Sequence, residues 1–430
     1  MAFLRFMKKY LIKKAIFLIL IMFFSTPNQG FSDNLNDAIS KAKQHSLEIK
    51  IQKIQANILL KDRDKIISEF FPSISANINI GQRNSYFEGQ TYERQSSQNI
   101  KEIKFEQSIF EGFSTITKFR ESGYQIKSIN QKTMQKISET SLKAIEVYCN
   151  LYRLENFVKI YYQNYQLSNK ILKILERQNN LRIIDNGDII KFSYDQKINE
   201  EKYLDSLNKL NIAKIEYQNI IGNIQENLPI PVLEFQDFND LKIDEKLINE
   251  NFNIKSQYYK YLASRANVNL QKANFSPKIS FLATASKQEK VAYLNNSDLN
   301  SKAIFLNFTI PIFQKGVEFA NFAKAKLEQD LAFEEFKNIQ KNVTNDIYKS
   351  LQEYNFLQNS INRNLEILEL AKKRLKILHR KAVLKIDDPV INLQANIDKN
   401  DREINLLNSQ IDKIICYYKI KHLLGDLDDG

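Results

Sequence analysis

Cysteine, histidine and glycine are all scarce in this chain, and each scarcity removes a class of function. Two cysteines, Cys149 and Cys416, are too few for a disulfide scaffold. The three histidines, His45, His379 and His422, stand far apart without metal-ligand spacing, and each reads as a solvated helix residue. Ten glycines in 430 residues leave little material for a loop that cradles phosphate. The acidic residues fit helix caps and surface pairs better than a general acid/base couple, so no catalytic, cofactor or metal site is expected. The net charge of +12 overstates the basic character, because five of the positives fall in the first 32 residues. The remaining lysines are scattered beside Glu, Asp, Asn and Gln, the pattern of a solvated surface rather than of a nucleic-acid groove.

Long apolar runs are also missing, with one informative exception. Residues 1–32 open with Arg5, Lys8, Lys9, Lys13 and Lys14 and continue into an apolar core at 15–24, which at about ten residues is too short to span a bilayer. Gly30 and Ser32 then supply small residues before a cut at Asp33. This is a cleaved secretory signal, and no Cys lies near the cut to carry a lipid. No later stretch reaches the length of a transmembrane helix. If the exported chain enters a membrane, it must do so through strands.

What is present is said twice, 203 to 205 residues apart. Ser46-Leu47-Glu48-Ile49-Lys50 returns as Asn251-Phe252-Asn253-Ile254-Lys255, and Phe71-Pro72-Ser73-Ile74-Ser75 returns as Ser276-Pro277-Lys278-Ile279-Ser280. Phe105 through Phe110 returns as Phe308 through Phe313, and Ile220-Ile221-Gly222-Asn223 as Leu423-Leu424-Gly425-Asp426. We therefore expect two units, 33–227 and 228–430, each reading helix, strand, strand, long helix, turn, helix.

Within each unit Pro72 or Pro277 ends a helix, since the residue before proline is pushed out of the α region. Ile74, Ala76, Ile78 and Ile80 then alternate with Ser73, Ser75, Asn77 and Asn79, and Ile103, Phe105 and Ile109 follow in a second alternating run. Ile279, Phe281, Ala283 and Ala285, then Ile304, Leu306, Phe308 and Ile310, repeat the scheme. The two hairpins are expected over 72–110 and 277–313. Strands of about ten residues with one oily and one polar face suit an outer-membrane barrel. Four strands cannot close, because the smallest such barrels need about eight and open edges have no water to pair with in lipid. A membrane role thus requires several copies.

Proline is absent again from 112–178 and from 314–381, each about 67 residues or some 100 Å of helix. In the second, Ile347, Leu351, Tyr354, Ile361, Leu365, Leu368 and Leu375 follow a seven-residue repeat, which argues coiled-coil-like packing. Polar turns follow, with Asp188 placed to cap one return helix at 188–221 and Asp387-Asp388-Pro389 to open the other at 388–424. Gly222 and Gly425 close these helices. The helix before each hairpin and the return helix, laid end to end, nearly match the long helix. The result is a rod with an irregular belt near Leu228-Pro229-Ile230-Pro231 and the short helix 36–45.

Phe71-Pro72-Ser73-Ile74-Ser75, Gln107-Ser108-Ile109-Phe110-Glu111-Gly112 and Phe308-Thr309-Ile310-Pro311-Ile312-Phe313-Gln314-Lys315-Gly316, in this order and spacing, resemble the TolC family of outer-membrane efflux proteins over essentially the whole exported chain. The resemblance implies a mainly α protein with β: a long α-helical periplasmic barrel and four strands per protomer, completing a 12-stranded outer-membrane barrel in a homotrimer. It implies a passive exit duct of a tripartite efflux or type I secretion system. The partners would be a periplasmic adaptor, an inner-membrane pump of ABC, RND or similar type, and outer-membrane lipid.

Adaptors would dock at the helical turns, where Leu181, Arg182, Leu384 and Lys385 stand. Arg182 and Lys385 occupy positions where family members often carry glycine. The family's acidic entrance ring aligns with Ile391 and Gln394, while Asp387 and Asp388 lie a few residues earlier. The rival reading is a periplasmic coiled-coil tether or adaptor without a pore. Four amphipathic strands of bilayer-spanning length argue against it.

Overall fold

A computed structural model describes residues 35–85, 94–97, 99–223, 228–231, 238, 244–291, 297–383 and 389–427. The expected signal at 1–32 lies outside the described residues. The order is α1 (Leu35–His45), α2 (Leu47–Ser68), β1 (Ser73–Asn79), β2 (Gln82–Ser85), β3 (Arg94–Ser97), β4 (Asn99–Glu111), α3 (Ser114–Asn180) and α4 (Asn186–Ile220). There follow α5 (Glu245–Ile248), α6 (Phe252–Ala273), β5 (Lys278–Val291), β6 (Ser297–Thr309), α7 (Val317–Val383) and α8 (Pro389–Leu424). The two long helices are each 67 residues. Among the described residues no helix is long and apolar enough to cross a membrane.

The helices form a wall one helix thick. Next to the sheet its lateral order is α2, α3, α6, α7, and beyond the belt it is α4, α3, α8, α7. Thus α3 is interior throughout, whereas α7 forms one complete margin and α2 with α4 the other. Caps fix where the shorter helices start: Ser46 accepts from the Ile49 amide, and Asn251 accepts from Asn253 and Ile254. The belt holds the largest core. Ile145, Tyr148 and Leu151 of α3 are fully buried there with Tyr217 of α4, Leu35 and Ala38 of α1, Leu228 and Leu427. The Tyr148 hydroxyl donates to the Pro229 carbonyl at 2.9 Å, so the proline-broken segment is tied to the central helix. A second cluster joins Ile347 and Tyr354 of α7 to Tyr417, Ile420 and Leu424 of α8, with Phe238 between them. Cys149 and Cys416 are both free and buried, and burial pushes each thiol up to about 12.

The sheet continues the wall. Its order is β1-β4-β5-β6, all antiparallel, so the two hairpins adjoin through β4 and β5. Register places Ile74, Phe105, Ala283 and Ile304 in one row on one face, and Ser75, Lys104, Thr284 and Ala303 on the other. The apolar face is bare: Ile74, Ile78, Ile103, Ile304 and Phe308 are all exposed. A bulge at Ile109 precedes the passage to α3.

Both passages from strand to long helix use two consecutive left-handed residues. Gly112 and Phe113 have φ of 62° and 65°, and Lys315 and Gly316 have 60° and 80°. A side chain at Gly112 would also collide with the Ser276 side chain and with the Ala273 carbonyl.

Three details of the sequence reading need correction. Asp185, not Asp188, caps α4: its carboxylate accepts from the Gly187 and Asp188 amides at 2.8 and 3.1 Å. His422 is not a solvated helix residue but a half-buried one, with Nδ1 2.7 Å from the Ser138 hydroxyl across α3 and α8. Leu365, assigned to the apolar seam of α7, is exposed, while Ile347, Tyr354 and Leu368 of that seam are buried.

Candidate functional site

Among the described residues no group of His, Cys, Asp and Glu could hold a metal ion, and the surfaces of interest are the two ends of the wall. At the helical end, α3 stops at Asn180 because the chain folds back on its own last turn. The Ile183 amide donates to the Gln178 carbonyl at 2.9 Å and the Arg182 amide to Asn179 at 2.7 Å. That geometry puts Arg182 in the left-handed region, φ 59°, where glycine is the unstrained choice. The Arg182 position thus has the backbone of a glycine with the charge of an arginine.

Around this turn Leu181, Ile183, Ile190 and Tyr194 are 65–71% exposed. Of these only Leu181 belongs to the docking set read from the sequence. Sequence reasoning misses Ile183, Ile190 and Tyr194, since an apolar residue near a helix start looks like core until its face is known. Leu384, Lys385, Asp387 and Asp388 lie outside the described residues.

Behind the turn, α8 is held against α3 by polar groups. The Asn400 Nδ2 donates to Asn164 Oδ1 at 2.7 Å, and Asn164 Nδ2 donates to Asp401 Oδ1 at 3.0 Å. Burial raises the Asp401 carboxyl above its ordinary range, against the pull of Lys202 and the Asn164 bond. Higher up, Arg153 Nη1 meets Asp412 Oδ1 at 2.7 Å across the same two helices. Gln394 of α8 lines a cavity of about 170 Å³ with Asp401 of the same helix and Asp195, Asn199 and Lys202 of α4. Ile391, one turn nearer the tip, is 43% exposed. Of the four entrance candidates, these two alone fall among the described residues.

At the other end, the sheet has one apolar and one polar face and, among the described residues, two unpaired edges, β1 and β6. Solved outer-membrane channels share the whole architecture. The chain superposes on CusC with a TM-score of 0.77 at 13% identity, covering 94% of this chain and 95% of that one. Its fold is that of the TolC-like outer-membrane channels.

The channel fold is matched again in VceC of Vibrio cholerae, with a TM-score of 0.77 at 15% identity over 91% of this chain and 96% of that one. The open-state MtrE channel of Neisseria gonorrhoeae superposes at 0.74, with 15% identity over 92% and 89%. Among curated relatives, the solvent efflux pump outer membrane protein SrpC of Pseudomonas putida is 23% identical over 173 residues. The toluene efflux pump outer membrane protein TtgI, also of Pseudomonas putida, matches to the same extent. Each match spans 40% of this chain and 37% of the relative, so the chain spans less than half the length of the curated relatives it matches. No family model matches the chain.

Proposed function

We propose that this protein is an outer-membrane exit duct, three copies of which form a continuous tube through the outer membrane and the periplasm. One observation carries the reading: every layer of the wall is open along the same two margins. β1 is unpaired on the side where α2 and α4 are marginal, and β6 on the side where α7 is marginal. Both margins carry exposed apolar residues, among them Ile51, Ile54 and Ile58 of α2 and Leu327, Leu331 and Leu370 of α7. Such a margin suits head-to-tail contact with another copy, which closes into a ring. Ring closure would pair the strand edges that lipid cannot satisfy.

In this reading the duct is passive. An inner-membrane pump of ABC, RND or similar type drives cargo, and a periplasmic adaptor meets the helical turns. Leu181 and Leu384 provide apolar anchors there, with Arg182 and Lys385 as matching charges. Asp387 and Asp388, with Ile391 and Gln394 behind them, form the entrance. Crosslinking in detergent with mass measurement, followed by conductance in planar bilayers, tests the assignment. A trimer that conducts is expected. A monodisperse monomer recovered from membrane-stripped extract would overturn it in favour of a periplasmic tether.

A further inference from the structure

Along β4, β5 and β6 the apolar face of the sheet ends in lysines, Lys101, Lys287 and Lys302, set in two successive rows. Moving away from the helices, the rows Phe110–Ile279–Phe308 and Ile74–Phe105–Ala283–Ile304 give way to Ala76–Ile103–Ala285–Lys302 and then to Ile78–Lys101–Lys287–Asn300. Lys101 and Lys287 are direct cross-strand partners, and like charges so placed repel. Each borrows one carboxylate: Lys101 lies 3.0 Å from Glu289 and Lys287 lies 3.0 Å from Asp298. Lys302 has no ion pair among the described residues. The three ammonium groups border a cleft of about 710 Å³ whose other walls include Ala76, Ile78 and Ile103. Below the lysines the face is oily and pocked by alanines; beside them it is cationic, with spare N–H donors on every ammonium.

We infer that Lys101, Lys287 and Lys302 form a binding site for the phosphorylated headgroup of an outer-leaflet glycolipid, whose acyl chains lie along the apolar face below. This inference rests on the membrane reading of the sheet, which places the end remote from the helices at the outer leaflet. An amphiphile suits the cleft, which is cationic on one wall and apolar on the next. Phosphate esters suit ammonium groups at this spacing because each non-bridging oxygen can take a separate donor.

The test uses the full-length assembly in phosphatidylcholine vesicles containing a minor fraction of spin-labelled bisphosphorylated lipid A. The measured quantity is the motionally restricted share of that lipid, beside spin-labelled phosphatidylcholine as reference. The wild type should restrict lipid A several-fold more than the reference, and the combined variant K101Q/K287Q/K302Q should restrict both equally. Dephosphorylated lipid A should behave as the reference on the wild type, which keeps the test sound if the variant misfolds. Displacement of the lipid by millimolar inorganic phosphate would mean a free-anion site and overturn the lipid assignment. Flotation with the vesicles but equal restriction of all lipids would overturn this inference alone. Failure to float would overturn the membrane reading and the inference with it.

Discussion

The two long helices have the same length and the same place in their halves of the chain, yet they live in different surroundings. α3 buries fifteen residues, and its large exposed hydrophobics are Ile116, Met134 and Tyr162. α7 buries eight and exposes twelve large hydrophobics, Phe319, Leu327, Leu331, Phe356 and Leu370 among them. A lone soluble helix margin would be polar, because contiguous exposed apolar surface marks an interaction site. The difference teaches that a single chain completes the packing of only one of its two long helices. The other keeps an apolar margin, which the proposed duct would cover with a neighbouring copy.

That contrast can be broken deliberately. Ile145→Ala in α3 removes a fully buried side chain from the belt core, so it should cost about 2–5 kcal/mol of folding stability, read by chemical denaturation. Leu327→Lys with Leu370→Lys in α7 replaces side chains that are 70% and 65% exposed. Their cost to the single chain should stay within roughly 0.5 kcal/mol each, as for other surface changes. Light scattering should nevertheless show the assembly falling to single chains. Retained trimers in the α7 variant would mean that the second margin is not an interface.

A smaller effect is expected at the helical turns. Arg182→Glu should weaken adaptor association in a pull-down while leaving the trimer intact. Arg182→Gly should relieve the left-handed backbone and stabilise the protein by about 1 kcal/mol. If Glu and Gly variants bind adaptor equally, the charge is not what the adaptor reads.

The smallest effect concerns the bond that joins α3 to α8 near the belt. Burial lowers the affinity of His422 for a proton, although Glu139 opposes this. The unfolded chain therefore binds the proton more readily than the folded one. His422 favours folding above the ordinary histidine value near 6.5, and that contribution is lost as pH falls from there through the folded value. Wild type should lose more stability than His422→Gln between about pH 7 and pH 5. Parallel pH profiles would dismiss the histidine as a contributor.

Much of the fold was legible because its signals are periodic. Ile74, Ala76 and Ile78 alternate as a strand must, and nothing in the long helices breaks a helix once Gly123 is passed. Lateral order was not legible: no residue announces that β4 pairs with β5, or that α3 rather than α7 is interior. Asp185 and Asp188 are both acceptable caps in sequence, and only the backbone at Gly187 decides between them. The left-handed turn at Arg182 leaves no mark, since an arginine there looks like any solvated residue. The outward Ile183, Ile190 and Tyr194 were hidden for the opposite reason, that apolar residues are read as core.

The two joints between strand and helix reach one geometry by two spellings. Both need a pair of left-handed residues, but glycine comes first at Gly112–Phe113 and second at Lys315–Gly316. The bend therefore fixes a pair of dihedral angles and not the order of the residues that supply them. Comparisons of residue identity between the halves will therefore understate their structural likeness at the hinge points. A comparison of the two halves should align dihedral angles first and amino acids second.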